Sequence, residues 1–243
     1  MIDALMWGGV SGSAVLIGAI IAIFVPLKKQ LTAYIMAFGT GVLLGAATYE
    51  LIQDSVKEAG IIASSLGFLT GAALFTLLDI SLAKKGAHKR KRSDHLVPAS
   101  SGLAIFIGTI IDAIPESLMI GASLIEQHHV SWLLVVSIFI SNIPEGISGT
   151  SGLLKSQYKQ KKIFSLWLSV FFISALCSWI GYLFLQDATP NMMGFIASFA
   201  GGGIVAMVAS TMLPEAFEEG GPIIGFIASL GLLTSIILDY MSF

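Results

Sequence analysis

Ile114-Pro115-Glu116-Ser117 and Ile143-Pro144-Glu145-Gly146 repeat one short phrase in the middle of two adjacent apolar segments. Each copy sets a carboxylate where hydrocarbon would surround it. Burying an ionisable group inside a membrane span costs roughly 2.5 to 3.5 kcal/mol on insertion scales, so such a glutamate faces a pathway, a partner or a bound ion. The surrounding chain supports that setting: 55% of residues are hydrophobic and only 12% charged, with a mean hydropathy of +0.87, far from a soluble domain. A span needs about 20 apolar residues. Eight are expected, near 5–27, 31–52, 60–83, 101–125, 130–154, 163–186, 191–214 and 222–243. The fold class is therefore all-α, a polytopic membrane protein whose residues 1–243 form a single transmembrane domain with short connections. The first apolar run has no basic n-region or small-residue cleavage site and is expected to stay as a helix. Cys177 is the only cysteine, so no internal disulfide can form.

Charge sets the orientation. Of thirteen Lys and Arg residues, twelve fall in three connections: 28–29, 84–92 and 155–162. With eight spans those connections lie on one side, and positive charge marks the cytoplasmic face. Both termini are then expected outside a cell (plasma) membrane, with the 84–100 stretch a basic cytoplasmic loop. That loop could be read as a nucleic-acid or anionic-lipid contact; the topology reading is preferred, and no nucleic-acid partner is expected. His88 and His95 in the loop, and His128 and His129 outside, lack the spacing and companions of a metal site.

The chain also repeats itself. Ala37-Phe38-Gly39-Thr40-Gly41 to Gly60 aligns with Ser198-Phe199-Ala200-Gly201-Gly202 to Gly221, pairing Asp54 with Glu215, Glu58 with Glu219 and Gly60 with Gly221. The next spans match through Ser65-Leu66-Gly67 and Ser229-Leu230-Gly231, and carry Leu-Asp pairs at Asp79 and Asp239. Spans 2 and 7 should run in opposite directions, which makes this an expected inverted repeat, the construction many secondary transporters use to set a substrate site at the bilayer midplane. Resemblance by shared Gly, Ala and Leu content is the competing account. Gly41 and Gly45, and Gly67 and Gly71, are read as close-packing positions.

Spans 4 and 5 repeat the proline-glutamate device. Asp112 and Glu116 are four residues apart, as are Ser141 and Glu145, so each pair shares a helix face. Both glutamates lie about 22 Å along helices that cross about 30 Å of hydrocarbon. Pro115 and Pro144 cannot donate to the carbonyls of Ile111 and Ile140, which are expected to turn to a cavity or a cation. Carboxylates, the Asn142 amide, the Ser141 hydroxyl and bare carbonyls make an oxygen-rich cation site. The alternative is that the prolines only kink the helices while protonated glutamates hydrogen-bond to one another.

The two Ile-Pro-Glu segments resemble the fourth and fifth helices of the ZIP family of metal-ion transporters, where His-Asn-x-Pro-Glu-Gly is typical. Residues 38–54 resemble that family's second helix, Thr211-Met212-Leu213-Pro214-Glu215 its seventh, and Ser174-Ala175-Leu176-Cys177-Ser178-Trp179 its sixth. The resemblance implies a homodimer, with helices 2, 3, 7 and 8 as one rigid unit and helices 1, 4, 5 and 6 carrying the metal. It also implies Glu50 as an added carboxylate. Asp112 and Ala113 stand where the family has His and Asn, and Ser178 where bacterial relatives carry a glutamate. One of two metal sites is therefore expected to survive, made of Asp112, Glu116, Ser141, Asn142, Glu145 and Glu50.

With no imidazole, the set suits manganese, magnesium or iron(II), while zinc stays open because affinity follows the Irving–Williams order. The expected function is transport of divalent metal ions (Mn, Fe or Zn as substrate) by alternating access, with the lipid bilayer as the other partner and no organic cofactor. Two other readings are a proton- or sodium-coupled carrier of another substrate and a non-transporting metal sensor or scaffold. An enzyme is not expected, because no Ser-His pairing and no second aspartate in a comparable motif accompany Asp112.

Overall fold

The computed structural model describes residues 1–25, 27–84, 99–126 and 130–241. Nearly all of the expected basic loop, and all four histidines, lie outside the described residues. Among these residues every regular element is helical: α1 (Ile2–Phe24), α2 (Lys29–Ala46), α3 (Asp54–Lys84), α4 (Ala99–Glu126), α5 (Trp132–Lys155), α6 (Gln160–Phe184), α7 (Pro190–Met207), α8 (Leu213–Gly220) and α9 (Ile224–Met241). Two π-helical segments, Ala47–Gln53 and Val208–Met212, join α2 to α3 and α7 to α8.

Among the described residues, six helical stretches are long and apolar enough to cross a membrane, and two of them are 54 and 52 residues long. The expected loops near 53–59 and 215–221 are therefore not loops. Helical structure runs through both, although a straight helix of that length would measure about 80 Å. The chain breaks direction at one residue in each. Gly60 has φ 77° and ψ 165°, and Gly221 has φ 71° and ψ -161°. That region of backbone space is essentially closed to residues with a Cβ.

The neighbours of α7 show the reversal at Gly60. Before it, Ser55 and Ala59 lie beside Gly194, and Leu51 and Ile52 beside Gly201, so this stretch runs opposite to α7. After it, Gly67 abuts Phe195 and Gly71 abuts Phe199, so α3 runs along with α7. On the other side, Gly41 abuts Ala228 and Leu232, and Gly45 meets Ser235, which makes α2 and α9 a second parallel pair. Hydrocarbon offers no hydrophobic drive between helices in a bilayer, so small residues that let backbones approach supply the packing. The glycines singled out from the sequence stand at these contacts.

The two π segments begin at Ala47 and Val208, positions that correspond under the same alignment that pairs Phe38 with Phe199 and Gly60 with Gly221. Matched sequence, matched π turns and matched glycine breaks thus recur in the two halves.

Packing divides the helices into two groups. Helix α1 lies against α5 and α6, and α4 against α6; α3 lies against α7, and α2 against α8 and α9. The main seam between the groups is α2 on α5, while α4 meets α3 and α7 only sparsely. One buried cluster joins Met36 and Leu43 of α2, Met119 and Ile120 of α4, Leu134 and Ile138 of α5 and Ile204 and Met207 of α7. A smaller one gathers Val15 and Ala19 of α1, Ala113 of α4, and Ile163, Trp167 and Val170 of α6. Trp167 Nε1 also donates to Thr150 Oγ1 at 2.8 Å, tying α6 to α5.

Candidate metal site

Pro115 and Pro144 stand inside unbroken α4 and α5, one residue before the two glutamates. All five predicted ligands on these helices are buried: Asp112 is 4% exposed, Glu116 2%, Ser141 2%, Asn142 7% and Glu145 3%. In a soluble protein such burial would be a rarity for Asp or Glu. Here it falls in the middle of apolar helices.

Helix geometry gives each side chain its direction, at 100° per residue. On α4, Ala113 belongs to the cluster with Val15 and Trp167, Gly121 abuts the backbone of Ser178 in α6, and Met119 and Ile120 belong to the cluster shared with α2 and α5. Asp112 and Glu116 fall on the stripe between Met119 and Ile120, so they point into the interior that α4 shares with α2, α5 and α7. On α5, Gly146 abuts Val15 of α1, and Ser141 lies against Gly39 of α2. Glu145 falls between those two contacts. The two acid-bearing stripes therefore face the same interior, bounded by α1, α2, α4 and α5.

Other expected members are placed differently. Glu50 sits half-buried in the first π segment, which touches α5. Among the described residues no three His, Cys, Asp or Glu side chains are grouped closely enough to hold a metal ion, so any first shell must draw on hydroxyl, amide or carbonyl oxygens beside the acids. The carbonyl of Ile140, freed by Pro144, abuts Gly39 of α2 instead of opening to a cavity. Ser178 packs its Cβ against Gly8 of α1, and its buried hydroxyl makes no hydrogen bond among the described residues. Ala113 and Ser178 thus face helix–helix contacts and not the acids.

One polar contact was not foreseen. Ser148, three residues beyond Glu145, donates to Glu215 Oε1 at 2.6 Å and links α5 to α8 just past the second π segment. The sequence placed Glu215 in the repeat, but the signal for this link was only the i, i+3 spacing from Glu145 to Ser148.

No protein-family model matches the chain. It is 25% identical over 222 residues to an Arabidopsis thaliana protein named "Putative zinc transporter At3g08650", a match covering 85% of this chain. That alignment takes in 33% of the plant protein, so the chain spans about one third of its length. Apolar helices and this likeness together support a multi-pass membrane protein.

Proposed function

We propose that the chain is a ZIP-like carrier that moves divalent metal ions across the cell membrane by alternating access, using the buried oxygens of Asp112, Glu116, Ser141, Asn142 and Glu145, with Glu50 at the edge of the path. The carrying observation is the pair of almost fully buried, proline-preceded glutamates on helix faces that turn to one interior. Intramembrane acids of this kind mark ion paths, and oxygen donors fit manganese and iron(II) while leaving zinc possible. The plant relative's name points the same way.

Eight crossings, not six, are supported by the reversals at Gly60 and Gly221. An inverted repeat is supported by α2 and its π segment running opposite to α7 while carrying matched features. Two contacts fit both termini being outside. Trp7 and Trp132 meet edge-to-face with centroids 4.7 Å apart, which brings the N-terminus and the 4–5 connection to one face. Lys29 pairs with Glu219 at 3.0 Å, which brings the 1–2 and 7–8 connections together. The grouping of α1, α4, α5 and α6 apart from α2, α3, α7, α8 and α9 supports relative motion of two bodies, in a homodimer as the resemblance implies.

The test is uptake by reconstituted vesicles offered Mn²⁺, Fe²⁺ and Zn²⁺ in turn. Saturable uptake of at least one ion, reduced at least tenfold by Glu116→Gln and by Glu145→Gln, is expected. Proton or sodium flux without metal movement would favour the coupled-carrier reading. Metal binding without uptake would favour a sensor.

A further inference from the structure

A cavity of about 490 Å³ lies where α4 leaves α3 and α7. Leu74 and Gly71 form its α3 wall, Phe199 and Gly203 its α7 wall, and Ile114 and Leu118 its α4 wall. Its lining is almost wholly apolar, and its size falls in the roughly 300–1,000 Å³ range of small-molecule sites. Pro115 lines it too, so the cavity sits directly behind the acid-bearing stripe of α4, at the depth of Glu116.

Its mouth is marked by Leu74, Ile114 and Phe195, which are 45%, 38% and 36% exposed. With α3, α4 and α7 spanning a bilayer, that mouth opens to the hydrocarbon layer. Water has no polar partners inside and would not fill it. An empty space of this size would forfeit dispersion contacts along every wall. At that depth the available apolar matter is lipid tail.

We infer that the cavity seats the acyl chain of a bilayer lipid, wedged between the acid-bearing helix α4 and the α3–α7 pair. A fluid chain fills the space without interlocking side chains across it, which suits a seam where α4 otherwise touches α3 and α7 sparsely. The inference rests on these helices being membrane spans and not on metal transport.

The test uses the full chain, without metal, in phosphatidylcholine vesicles whose acyl chains carry a diazirine at mid-length. After photolysis, mass spectrometry should find adducts on half-buried Leu118 and Phe199 as well as on Leu69, an exposed reference on α3. Gly203→Leu should then deplete the Leu118 and Phe199 adducts at least fivefold while leaving Leu69 unchanged. A Cβ at position 203 meets only the Gly71 carbonyl, at 4.0 Å, so the added side chain has room. Ile114→Phe fills the space from the opposite wall and should give the same depletion, which covers the case where the first variant does not fold. Labelling of Leu69 without labelling of Leu118 and Phe199 overturns the inference, as does labelling that neither filling variant reduces. Efficient disulfide formation between two Ile114→Cys chains in a Cys177→Ser background would place a second copy over the mouth, and would overturn it as well.

Discussion

Glu116 and Glu145 are 2% and 3% exposed in apolar helices, where keeping a carboxylate ionised carries a desolvation cost. Replacing either with glutamine removes a buried ionisable group while keeping its shape, and a neutral amide costs less to bury than a carboxylate. The variants should insert and fold at least as well as the parent. They should lose the metal-dependent rise in thermal stability, which amounts to about 2.7 kcal/mol for an ion present at 100 times its Kd. Thermal unfolding in detergent with and without Mn²⁺ or Zn²⁺ measures this, and an undiminished metal response in both variants would sink the assignment. Ala113 carries a second prediction. Its side chain packs with Val15 and Trp167, so Ala113→Asn, even combined with Ser178→Glu, should add no second metal equivalent and should destabilise by roughly 1–3 kcal/mol through an unsatisfied buried amide. Elemental analysis of the purified variant checks the first part and thermal unfolding the second. The acids were legible in the sequence because a charge in an apolar run is conspicuous whatever surrounds it. The direction of Ala113 was not, because the rotation of α4 about its axis depends on how it seats against α6 through close approaches such as Gly121 to Ser178 and Gly181 to Leu118, which no local pattern reveals.

Helix breaks are the features that turn long apolar stretches into paired elements. A Cβ at Gly60 or at Gly221 would meet nothing within 4 Å, so sterics with neighbours do not demand glycine at either place. The backbone does, since φ near 70–80° with ψ near 180° is open in practice only to glycine. Gly60→Ala and Gly221→Ala should each destabilise by about 1–3 kcal/mol. Gly225→Ala is the control: it sits inside α9 with open space around its Cβ, and should be neutral or slightly stabilising on helix propensity. Equal melting shifts at all three sites would show that the two breaks carry no backbone strain. Charged residues from Asp54 to Glu58 and Glu215 to Glu219 made these stretches read as loops. They instead continue as helix up to the glycine, since Asp, Lys and Glu are all compatible with a helix end and the reversal needs one residue. The Phe38–Phe199 and Gly60–Gly221 pairings, read from sequence, match the positions of the two glycine breaks. The π segments at 47–53 and 208–212 were not legible, because a one-residue change in hydrogen-bond register leaves no mark in composition.

For the molecule as a whole, the decisive quantity is the number of crossings, because it fixes which faces the two acid-bearing helices open to. Six crossings would require two helices of more than 50 residues to lie across a hydrocarbon layer about 30 Å thick, with Glu58 and Glu218 left inside it or carried far beyond it. Eight crossings put the Gly60 break outside and the Gly221 break inside, and agree with the confinement of twelve of thirteen basic residues to three connections. The thirteenth, Lys57, is paired with Asp54 at 2.8 Å beside the Gly60 break, which would offset its charge if that break lies outside. Single cysteines at Glu58, Gln157, Asp187 and Glu218, all exposed, test the alternation in a Cys177→Ser background with a membrane-impermeant thiol reagent. Cells should label Glu58→Cys and Asp187→Cys from outside, while Gln157→Cys and Glu218→Cys should react only after permeabilisation. Labelling of Glu58→Cys and Glu218→Cys from the same side would contradict opposite directions for α2 and α7, and with them the proposed inverted repeat and the eight-crossing reading.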